Sequence, residues 1–101
     1  MKHLEEAKET LFNVHQPQFI TVEGNKLTVF IQDGVIPEVG INGMQVTDLL
    51  AYVNEIYKSL NKAFPCRENA LTITKIEEAL HWQEARTRDR LNRKVEGQHK
   101  S

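Results

Sequence analysis

The stretch VTDLLAYVNEIYKSLNKAFPCRENALTITKIEEALHW, residues 46–82, decides the fold of this 101-residue chain. Its first part repeats apolar residues at helical spacing, which predicts an amphipathic helix beginning near Val46 with Thr47 as its N-terminal cap. The predicted apolar stripe consists of Val46, Leu49, Leu50, Val53, Ile56, Tyr57 and Leu60. Residues 61–65 end this helix at a proline, and the helical period then resumes. The inner stripe of the second helix consists of Ile73, Ile76 and Leu80.

The second predicted helix is the longer of the two. It begins near residues 66–69, runs to about Lys94 and ends before Gly97, so the two helices form an antiparallel hairpin of unequal arms. The excess is roughly ten residues, or about 15 Å at 1.5 Å per residue. We expect another subunit to pack on this end, because Trp82 is costly to leave exposed there.

The upstream half has the period of β-structure. Residues 3–12 predict a short, weak helix that Pro17 ends, and residues 19–31 predict a β-hairpin around Gly24-Asn25. A third short strand is predicted over residues 38–43. The fold class is therefore α+β, a small antiparallel sheet followed by a C-terminal antiparallel helical hairpin with a long second helix. We predict one domain, divided into residues 1–16, a sheet part 17–45, the hairpin 46–97 and a tail 98–101.

Composition excludes several classes of function. Thirteen basic and fourteen acidic residues give a net charge of -1, which does not recruit nucleic acid through bulk electrostatics. The one cysteine, Cys66, cannot form an internal disulfide, and we expect a buried or half-buried thiol in a reducing cytoplasm. No apolar run approaches the ~20 residues of a membrane span, and neither a metal-binding cluster nor a cofactor motif is visible.

A row of basic residues marks the end of the second helix. Arg86, Arg90 and Lys94 stand four residues apart, so they project from one helical face. Like charges at this spacing cost roughly 0.2–0.5 kcal/mol per pair, which a bound anion would relieve. A plain solvated face is the alternative, because cations near a helix C-terminus are favoured by roughly 0.3–1 kcal/mol.

Two other arginines have acidic neighbours along the same helix. Arg88 follows Glu84 by four residues, and Arg93 follows Asp89 by the same spacing. Intrahelical ion pairs at this spacing are expected to neutralise both arginines, so neither needs a ligand.

Four motifs of the second helix carry a family resemblance. The segments CRENAL (66–71), TKIEEALHW (74–82), RTRDR (86–90) and VEG (95–97) resemble the phage Thoeris anti-defense sponges, small proteins that sequester cyclic ADP-ribose signals. The hairpin is also similar to that of the anti-CBASS nucleotide sponges. The resemblance covers about residues 27–99 and is densest in the last third of the chain.

The resemblance implies a non-enzymatic binder that captures glycocyclic ADP-ribose intact in the cytoplasm of the infected bacterial host, so that the immune effector is not triggered. It implies dimers and further hexamers. The family's ligand contacts fall on Asn69, Arg86 and Arg90, together with an adenine-stacking aromatic that is either Phe64 or Tyr57. The related sponges bind cyclic trinucleotides at a threefold site, so the expected ligands extend to cyclic di- and trinucleotides, and we assign Arg67 to that site.

Helix geometry constrains how these residues meet. Asn69 and Arg86 are seventeen positions apart on one helix, or roughly 25 Å, so they must come from different chains to share one pocket. Each residue also has a structural interpretation. Asn69 fits a hydrogen-bonding position in the first helical turn, Phe64 fits an apolar plug between the helices, and Arg67 fits an ion pair with Glu68. His81 and Trp82 are expected to be structural.

Two other functions compete with the sponge. An enzyme would need paired carboxylates near the arginines, a metal cluster or a phosphate-binding glycine loop, and the chain shows none of these motifs. A nucleic-acid-binding or regulatory helical hairpin would use residues 86–94 on phosphates. The near-neutral total charge argues against a nucleic acid polymer as partner.

Overall fold

A computed structural model describes residues 2–11 and 19–95, without the side chains of Leu11, Lys94 and Val95. Its elements in chain order are α1 (Lys2–Leu11), β1 (Ile20–Glu23), β2 (Lys26–Val29), α2 (Ile36–Val39), α3 (Val46–Ala63) and α4 (Arg67–Val95). The two strands form an antiparallel sheet, and α3 and α4 form the helical hairpin after it. The α+β class predicted from the sequence is confirmed.

The β-hairpin lies where the sequence places it. Ile20 pairs with Val29 and Glu23 with Lys26, so Gly24 and Asn25 form a two-residue turn. Gly24 has a φ of 58°, which the primed turns of two-residue hairpins require and which glycine adopts without a steric cost. The β-branched and aromatic pattern of residues 19–31 is therefore sufficient to locate this element.

The predicted third strand over residues 38–43 is wrong. Residues 36–39 form the one-turn helix α2, with Pro37 in its first turn and Gly40 at its C-cap with a φ of 75°. Proline is favoured at this position of a helix, because its missing N–H has no partner in the first turn. Only one isolated parallel bridge, Ile31 to Met44, extends the pairing in the described part of this region.

Side-chain amides hold the loop from Gln32 to Asn42 together instead of a strand ladder. The Asn42 amide accepts from the Asp33 N–H at 2.9 Å and donates to the Asp33 carbonyl at 2.8 Å. Gln32 Oε1 accepts from the Asn42 N–H at 3.0 Å, and Gln32 Nε2 donates to the Gly40 carbonyl at 2.9 Å. These bonds satisfy backbone groups that a strand would have paired.

Gly43 allows the loop to return closely past the end of the hairpin. A Cβ at this position would lie 2.4 Å from the carbonyl carbon of Ile31, which no side chain tolerates. The close approach accompanies the bonds from the Met44 N–H to the Phe30 carbonyl and from the Gln32 N–H to the Met44 carbonyl, each 2.7 Å. The chain thereby enters α3 directly from the edge of the sheet.

The N-cap of α3 lies two positions earlier in the chain than the predicted cap at Thr47. Gln45 is the N-cap, and its side chain and that of Asp48 form a reciprocal capping box. The predicted cap at Thr47 is wrong, because Val46 already has helical geometry and Thr47 lies inside the first turn.

Helix α3 lies between α1 and α4, and this position changes which of its residues are buried. Tyr52 is 1% exposed and Asn54 is 3% exposed, although neither belongs to the predicted apolar stripe. The stripe residues from Leu49 onward are half-buried, and Val46 is 68% exposed. A helix packed on two sides buries residues outside a single stripe, so the stripe is correct in position but incomplete.

Helix α1 is stabilised by its contact with α3. Ala7 is 1% exposed, and the Tyr52 hydroxyl donates to the Leu4 carbonyl at 2.7 Å. Ser59 on α3 hydrogen-bonds to His3 Nδ1 at 2.7 Å and donates to the Glu6 carboxylate. That bond holds the pKa of Glu6 below its usual value. The weak helix predicted over residues 3–12 is thus present as α1, while Phe12 and Pro17 lie outside the described residues.

Candidate functional site

The C-terminal part of α4 extends beyond the cover of α3. The turn at residues 64–66 places Ala63 beside Arg67, so Val46 at the start of α3 is level with about residue 84. Helix α4 has 29 residues and α3 has 18, so the excess of 11 residues forms an overhang, residues 85–95. Every described side chain from Arg86 to Arg93 is exposed, as the unequal arms of the hairpin predict.

Arg86 and Arg90 are two of the unpaired cations of this overhang among the described residues. Neither makes an ion pair or hydrogen bond with any residue that the structure describes, and both are exposed. They lie one turn apart on the same side of α4. The third member of the predicted row, Lys94, has a side chain outside the described residues.

The neighbouring acidic residues neutralise one arginine rather than two. Arg93 donates to the Asp89 carboxylate at 2.6 Å, which confirms the predicted pair. The predicted pair between Arg88 and Glu84 is absent from the described residues, so that prediction is wrong. Both side chains are exposed, where the Coulomb energy of such a pair hardly exceeds the entropy lost in holding it.

Three predicted site residues meet at the other end of α4, around the hairpin turn. Phe64 is 67% exposed, so it is no plug between the helices. Asn69 is half-buried in the first turns of α4, and its side-chain amide has no hydrogen-bond partner among the described residues. Arg67 is exposed and makes no ion pair with Glu68 or with another described residue. The ring, the guanidinium and the amide therefore lie near the same end of α4, with Arg67 and Asn69 on nearly opposite sides of the helix. Tyr57, the alternative aromatic, is half-buried on α3.

Cys66 supports the start of α4. Its thiol is exposed, which contradicts the buried or half-buried thiol expected from the sequence. The sulfur accepts a hydrogen bond from the Asn69 N–H at 3.4 Å, and the Cys66 N–H donates to Asn61 Oδ1 at 3.1 Å. Cys66 thus helps to satisfy the free N–H groups of the first helical turn and stays at the surface.

The two groups of predicted site residues are far apart in one protomer. Asn69 and Arg86 belong to one continuous helix, so about 25 Å separates them along its axis, and about 32 Å separates Asn69 from Arg90. The structure therefore places Phe64, Arg67 and Asn69 at one end of α4 and Arg86 and Arg90 near the other end, and it does not join the two groups. Their union in one pocket remains a prediction about a second chain.

A groove lies on the flank of the hairpin between these two groups. Its volume is about 360 Å³, and its lining is mostly apolar, with Leu50, Leu71, Thr72, Lys75, Ile76 and Ala79. Trp82, the next large residue along α4, is 70% exposed and touches His81 edge to face at 6.0 Å between ring centroids. Trp82 therefore lies outside the protomer's core, and the packing of another subunit on this part of α4 stays a prediction.

Sequence reasoning missed the groove. One signal could have found it, because Trp82 is two positions from Leu80 and so lies on nearly the opposite side of the helix from the inner stripe. A large aromatic residue off the stripe indicates a second apolar surface on the same helix.

The described residues were searched for groups of metal ligands and for helices able to span a membrane. Among residues 2–11 and 19–95, no group of three His, Cys, Asp or Glu side chains could hold a metal ion. None of the helices described there combines the length and apolar character needed to cross a bilayer.

Two comparisons relate the chain to known proteins. The sequence profile described as "Acb2/Tad1, hairpin domain" matches residues 25–88. A protein of Bacillus phage SBSphiJ7 named "Thoeris anti-defense 1" is 47% identical over 77 residues, which are 75% of this chain and 54% of that protein. The chain thus spans about half the length of this curated relative. The matched residues include the groove, Trp82 and Arg86.

Proposed function

Because the chain belongs to the Acb2/Tad1 hairpin family, we propose that it is a phage anti-defense sponge. It binds a cyclic ADP-ribose immune signal, glycocyclic ADP-ribose, and holds it without cleaving it in the cytoplasm of the infected bacterial host. The bound signal is removed from solution, so the Thoeris effector that it would activate stays inactive. The binder is a homo-oligomer, a dimer that assembles further into a hexamer.

The observation that carries the proposal is the state of Arg86 and Arg90. Both guanidinium groups are exposed and unpaired among the described residues, one turn apart on a helix end that α3 does not cover. A pyrophosphate offers planar oxygen pairs that guanidinium groups bind bidentately. Its negative charge also relieves the repulsion between the two arginines, which makes the overhang better suited to an anion than to water.

The hairpin turn supplies the rest of the ligand contacts. The exposed ring of Phe64 provides a face for stacking an adenine, and the free amide of Asn69 provides donors and an acceptor for ribose hydroxyls. Because about 25–32 Å separates these groups from the arginines within one protomer, the proposed pocket uses Phe64 and Asn69 of one protomer with Arg86 and Arg90 of another.

Binding without cleavage is consistent with the acidic groups near the arginines. Asp89 lies within one turn of both Arg86 and Arg90, and its carboxylate is held by Arg93 at 2.6 Å. A carboxylate oxygen that already accepts a hydrogen bond from a guanidinium is less available to take a proton from a water molecule. The arrangement therefore grips a pyrophosphate and provides no activated water.

Arg67 is the basis of a second proposed site, for cyclic di- or trinucleotides. It is exposed and unpaired among the described residues, at the first position of α4. A phosphate there would meet a guanidinium and the free N–H groups of a helix N-terminus. In a hexamer this residue is proposed to surround a threefold axis, apart from the pyrophosphate site.

Calorimetric titration with glycocyclic ADP-ribose tests the function. We expect Arg90→Ala to weaken binding at least 100-fold, because a charged, desolvated hydrogen-bonding partner of the pyrophosphate is lost. Arg88→Ala is the matched control, since Arg88 is also exposed and unpaired but faces the other side of α4. It should change affinity less than threefold.

The same samples distinguish a sponge from its rivals. Ligand released by heating after incubation should have unchanged mass and retention, whereas a converted product would establish an enzyme. Equal losses for Arg88→Ala and Arg90→Ala would contradict the specific role of the Arg90 face. Salt-sensitive binding of nucleic acid without affinity for cyclic ADP-ribose isomers would establish the nucleic-acid-binding alternative.

A further inference from the structure

We propose that Asn42 is a site of spontaneous deamidation, and that its two hydrogen bonds to the backbone of Asp33 slow the reaction in the folded protein. The reaction converts Asn42 to aspartate or isoaspartate and releases the loop that this amide closes. The site lies between β2 and α3, on a different segment from the proposed ligand contacts. It is therefore a feature of the chain beyond the proposed function.

The sequence around Asn42 is chemically reactive. Deamidation begins when the backbone nitrogen of the next residue attacks the asparagine Cγ, and glycine hinders this attack least because it has no Cβ. Asn42 is the one asparagine of the chain that precedes a glycine, and Asp33 is the one aspartate that does so. An aspartate before glycine forms the same cyclic imide. The two positions most prone to this reaction are therefore bonded to each other.

The fold itself requires the reactive residues. Gly34 has a φ of 93°, which favours glycine, and Gly43 passes the Ile31 backbone too closely for a Cβ. Residue 42 must both accept from the Asp33 N–H and donate to the Asp33 carbonyl, which an amide side chain does. The reactive Asn-Gly pair is thus a consequence of how this loop is closed.

The closed loop opposes the reaction at both reacting atoms. The leaving nitrogen, Asn42 Nδ2, is held by the Asp33 carbonyl at 2.8 Å. The attacking nitrogen belongs to Gly43, which is buried although Asn42 is exposed, so hydroxide reaches it poorly. The Gly43 N–H makes no hydrogen bond among the described residues, so the attacking atom is free once the loop opens. The population of the open loop therefore sets the rate.

Water is the only co-reactant. Hydroxide removes the proton from the Gly43 nitrogen, this nitrogen forms a bond to Asn42 Cγ, and the bond from Cγ to Nδ2 breaks as ammonia leaves with a proton from water. One water molecule then opens the cyclic imide. Cleavage between Cγ and the Gly43 nitrogen gives aspartate, and cleavage between the main-chain carbonyl carbon and that nitrogen gives isoaspartate.

Neither product can rebuild the original bonds. A carboxylate has no N–H, so the bond from Asn42 Nδ2 to the Asp33 carbonyl is replaced by a repulsive contact between two oxygens. The product also adds a negative charge beside Asp33. Isoaspartate lengthens the backbone by one carbon just before Gly43, where the chain passes closest to Ile31. Deamidation therefore releases the loop irreversibly.

Incubation of the wild-type protein at mildly alkaline pH tests the site. Mass spectrometry of the tryptic peptide 27–58 detects deamidation as a gain of about 1 Da. The same peptide contains Asn54, which is buried and precedes Glu55, and the exposed Asn25 precedes Lys26 in the hairpin turn. We expect Asn42 to react at least 10-fold faster than either control. Equal rates at Asn25 and Asn42 would overturn the proposal.

Opening the loop tests the protection. The rate at Asn42 should rise at least 10-fold in denaturing urea, because the bonds to Asp33 are absent there. In the folded protein, Gln32→Ala removes the bonds from Gln32 to the Gly40 carbonyl and from the Asn42 N–H, and should raise the rate at least fivefold. Gln83→Ala, the matched control at an exposed amide of α4, should change it less than twofold.

Circular dichroism shows whether Gln32→Ala stays folded. The urea comparison tests the protection in the wild-type chain in either case. Equal rates at Asn42 in folded and unfolded wild-type protein would overturn the protective role of the loop.

Limited proteolysis tests the release of the loop. Glu38 is exposed within α2, and a protease specific for glutamate cleaves after it when the loop opens. Asn42→Asp has the side chain of one product and should be cleaved there at least 10-fold faster than wild type. Asn25→Asp adds the same charge in the hairpin turn and should change the rate less than twofold. Unchanged cleavage of Asn42→Asp would overturn the proposed release.

Discussion

Two aromatic side chains of the helical hairpin, Tyr52 and Trp82, are in opposite environments. Tyr52 is 1% exposed between α1 and α3, and its hydroxyl donates to the Leu4 carbonyl. Trp82 is 70% exposed on α4 beside an open groove. On the Tyr52 side of the hairpin, the protomer buries the aromatic ring and hydrogen-bonds its hydroxyl. On the Trp82 side, the aromatic ring and the neighbouring groove stay exposed.

This difference indicates which surfaces serve folding and which serve binding. Around Tyr52, burial and hydrogen bonds involve α1, α3 and the edge of the sheet. Around Trp82, an apolar groove, an uncovered helix end and unpaired arginines occur together on one helix. An apolar surface rimmed by unpaired charge is typical of interaction sites rather than of a solvated face.

Truncating the two aromatics should have the most unequal effects. Tyr52→Ala is expected to lower the free energy of unfolding by about 3–5 kcal/mol, because it leaves a cavity between α1 and α3. Trp82→Ala should lower it by less than about 0.5 kcal/mol at concentrations where the protein is a single protomer. Urea denaturation followed by circular dichroism measures both. Similar losses for the two variants would show that Trp82 contributes as much to folding as Tyr52 does.

The hydroxyl of Tyr52 should make stability depend on alkaline pH. Burial, with a smaller contribution from Glu5, raises the pKa of Tyr52 from 10.0 to about 12. A group whose pKa is raised in the folded state stabilises the fold most at pH values below its unfolded pKa. For Tyr52, this contribution to stability is therefore lost as the pH rises from about 10 to about 12. A difference of about two in pKa corresponds to about 3 kcal/mol.

Tyr52→Phe isolates this effect. At pH 7 the variant should be about 1 kcal/mol less stable, since it lacks the bond to the Leu4 carbonyl. Above pH 10 the wild type should lose its advantage and become the less stable protein. Thermal unfolding of both proteins between pH 7 and 12 gives the comparison, and parallel curves would show that Tyr52 ionises freely in the folded state.

The smallest expected effect is a gain in stability from replacing Asn54 of α3. Asn54 is 3% exposed, and its Oδ1 has no hydrogen-bond partner among the described residues. Asn54→Leu should raise the free energy of unfolding by about 1 kcal/mol, because an unsatisfied buried acceptor is replaced by an apolar group of similar size. Asn61→Leu is the matched control, since Asn61 Oδ1 accepts from the Cys66 N–H. That change should destabilise, and a loss with Asn54→Leu would reveal a partner for Oδ1.

Local patterns located the elements but not all of their ends and contacts. The hairpin strands, the helical hairpin and the excess length of α4 follow from periodicity and turn residues, which act over a few positions. The cap at Gln45 and the one-turn helix at Ile36–Val39 are short-range features that apolar periodicity does not mark, and the burial of Tyr52 depends on how α1 packs against α3. No local period contains that information.

The candidate site also combines features that the sequence predicts with features that it does not predict. Arg86 and Arg90 could be singled out from the sequence, because helical spacing shows which arginines lack a carboxylate neighbour. The sequence could not show whether a predicted ion pair forms. Arg93 pairs with Asp89, whereas Arg88 and Glu84 form no pair in the described structure. An exposed ion pair stabilises a helix so little that the spacing of the two residues does not decide whether the pair forms.

By itself, the sequence determined the β-hairpin, a hairpin of unequal helices and a row of basic residues at the longer helix's end, since these depend on neighbours within one or two turns. Tertiary structure alone decided that Tyr52 is buried while Trp82 is not, and that a groove opens beside Ala79. Both outcomes depend on how α1 and α4 pack on the two sides of α3. Contacts between residues that are distant in the chain determine this packing.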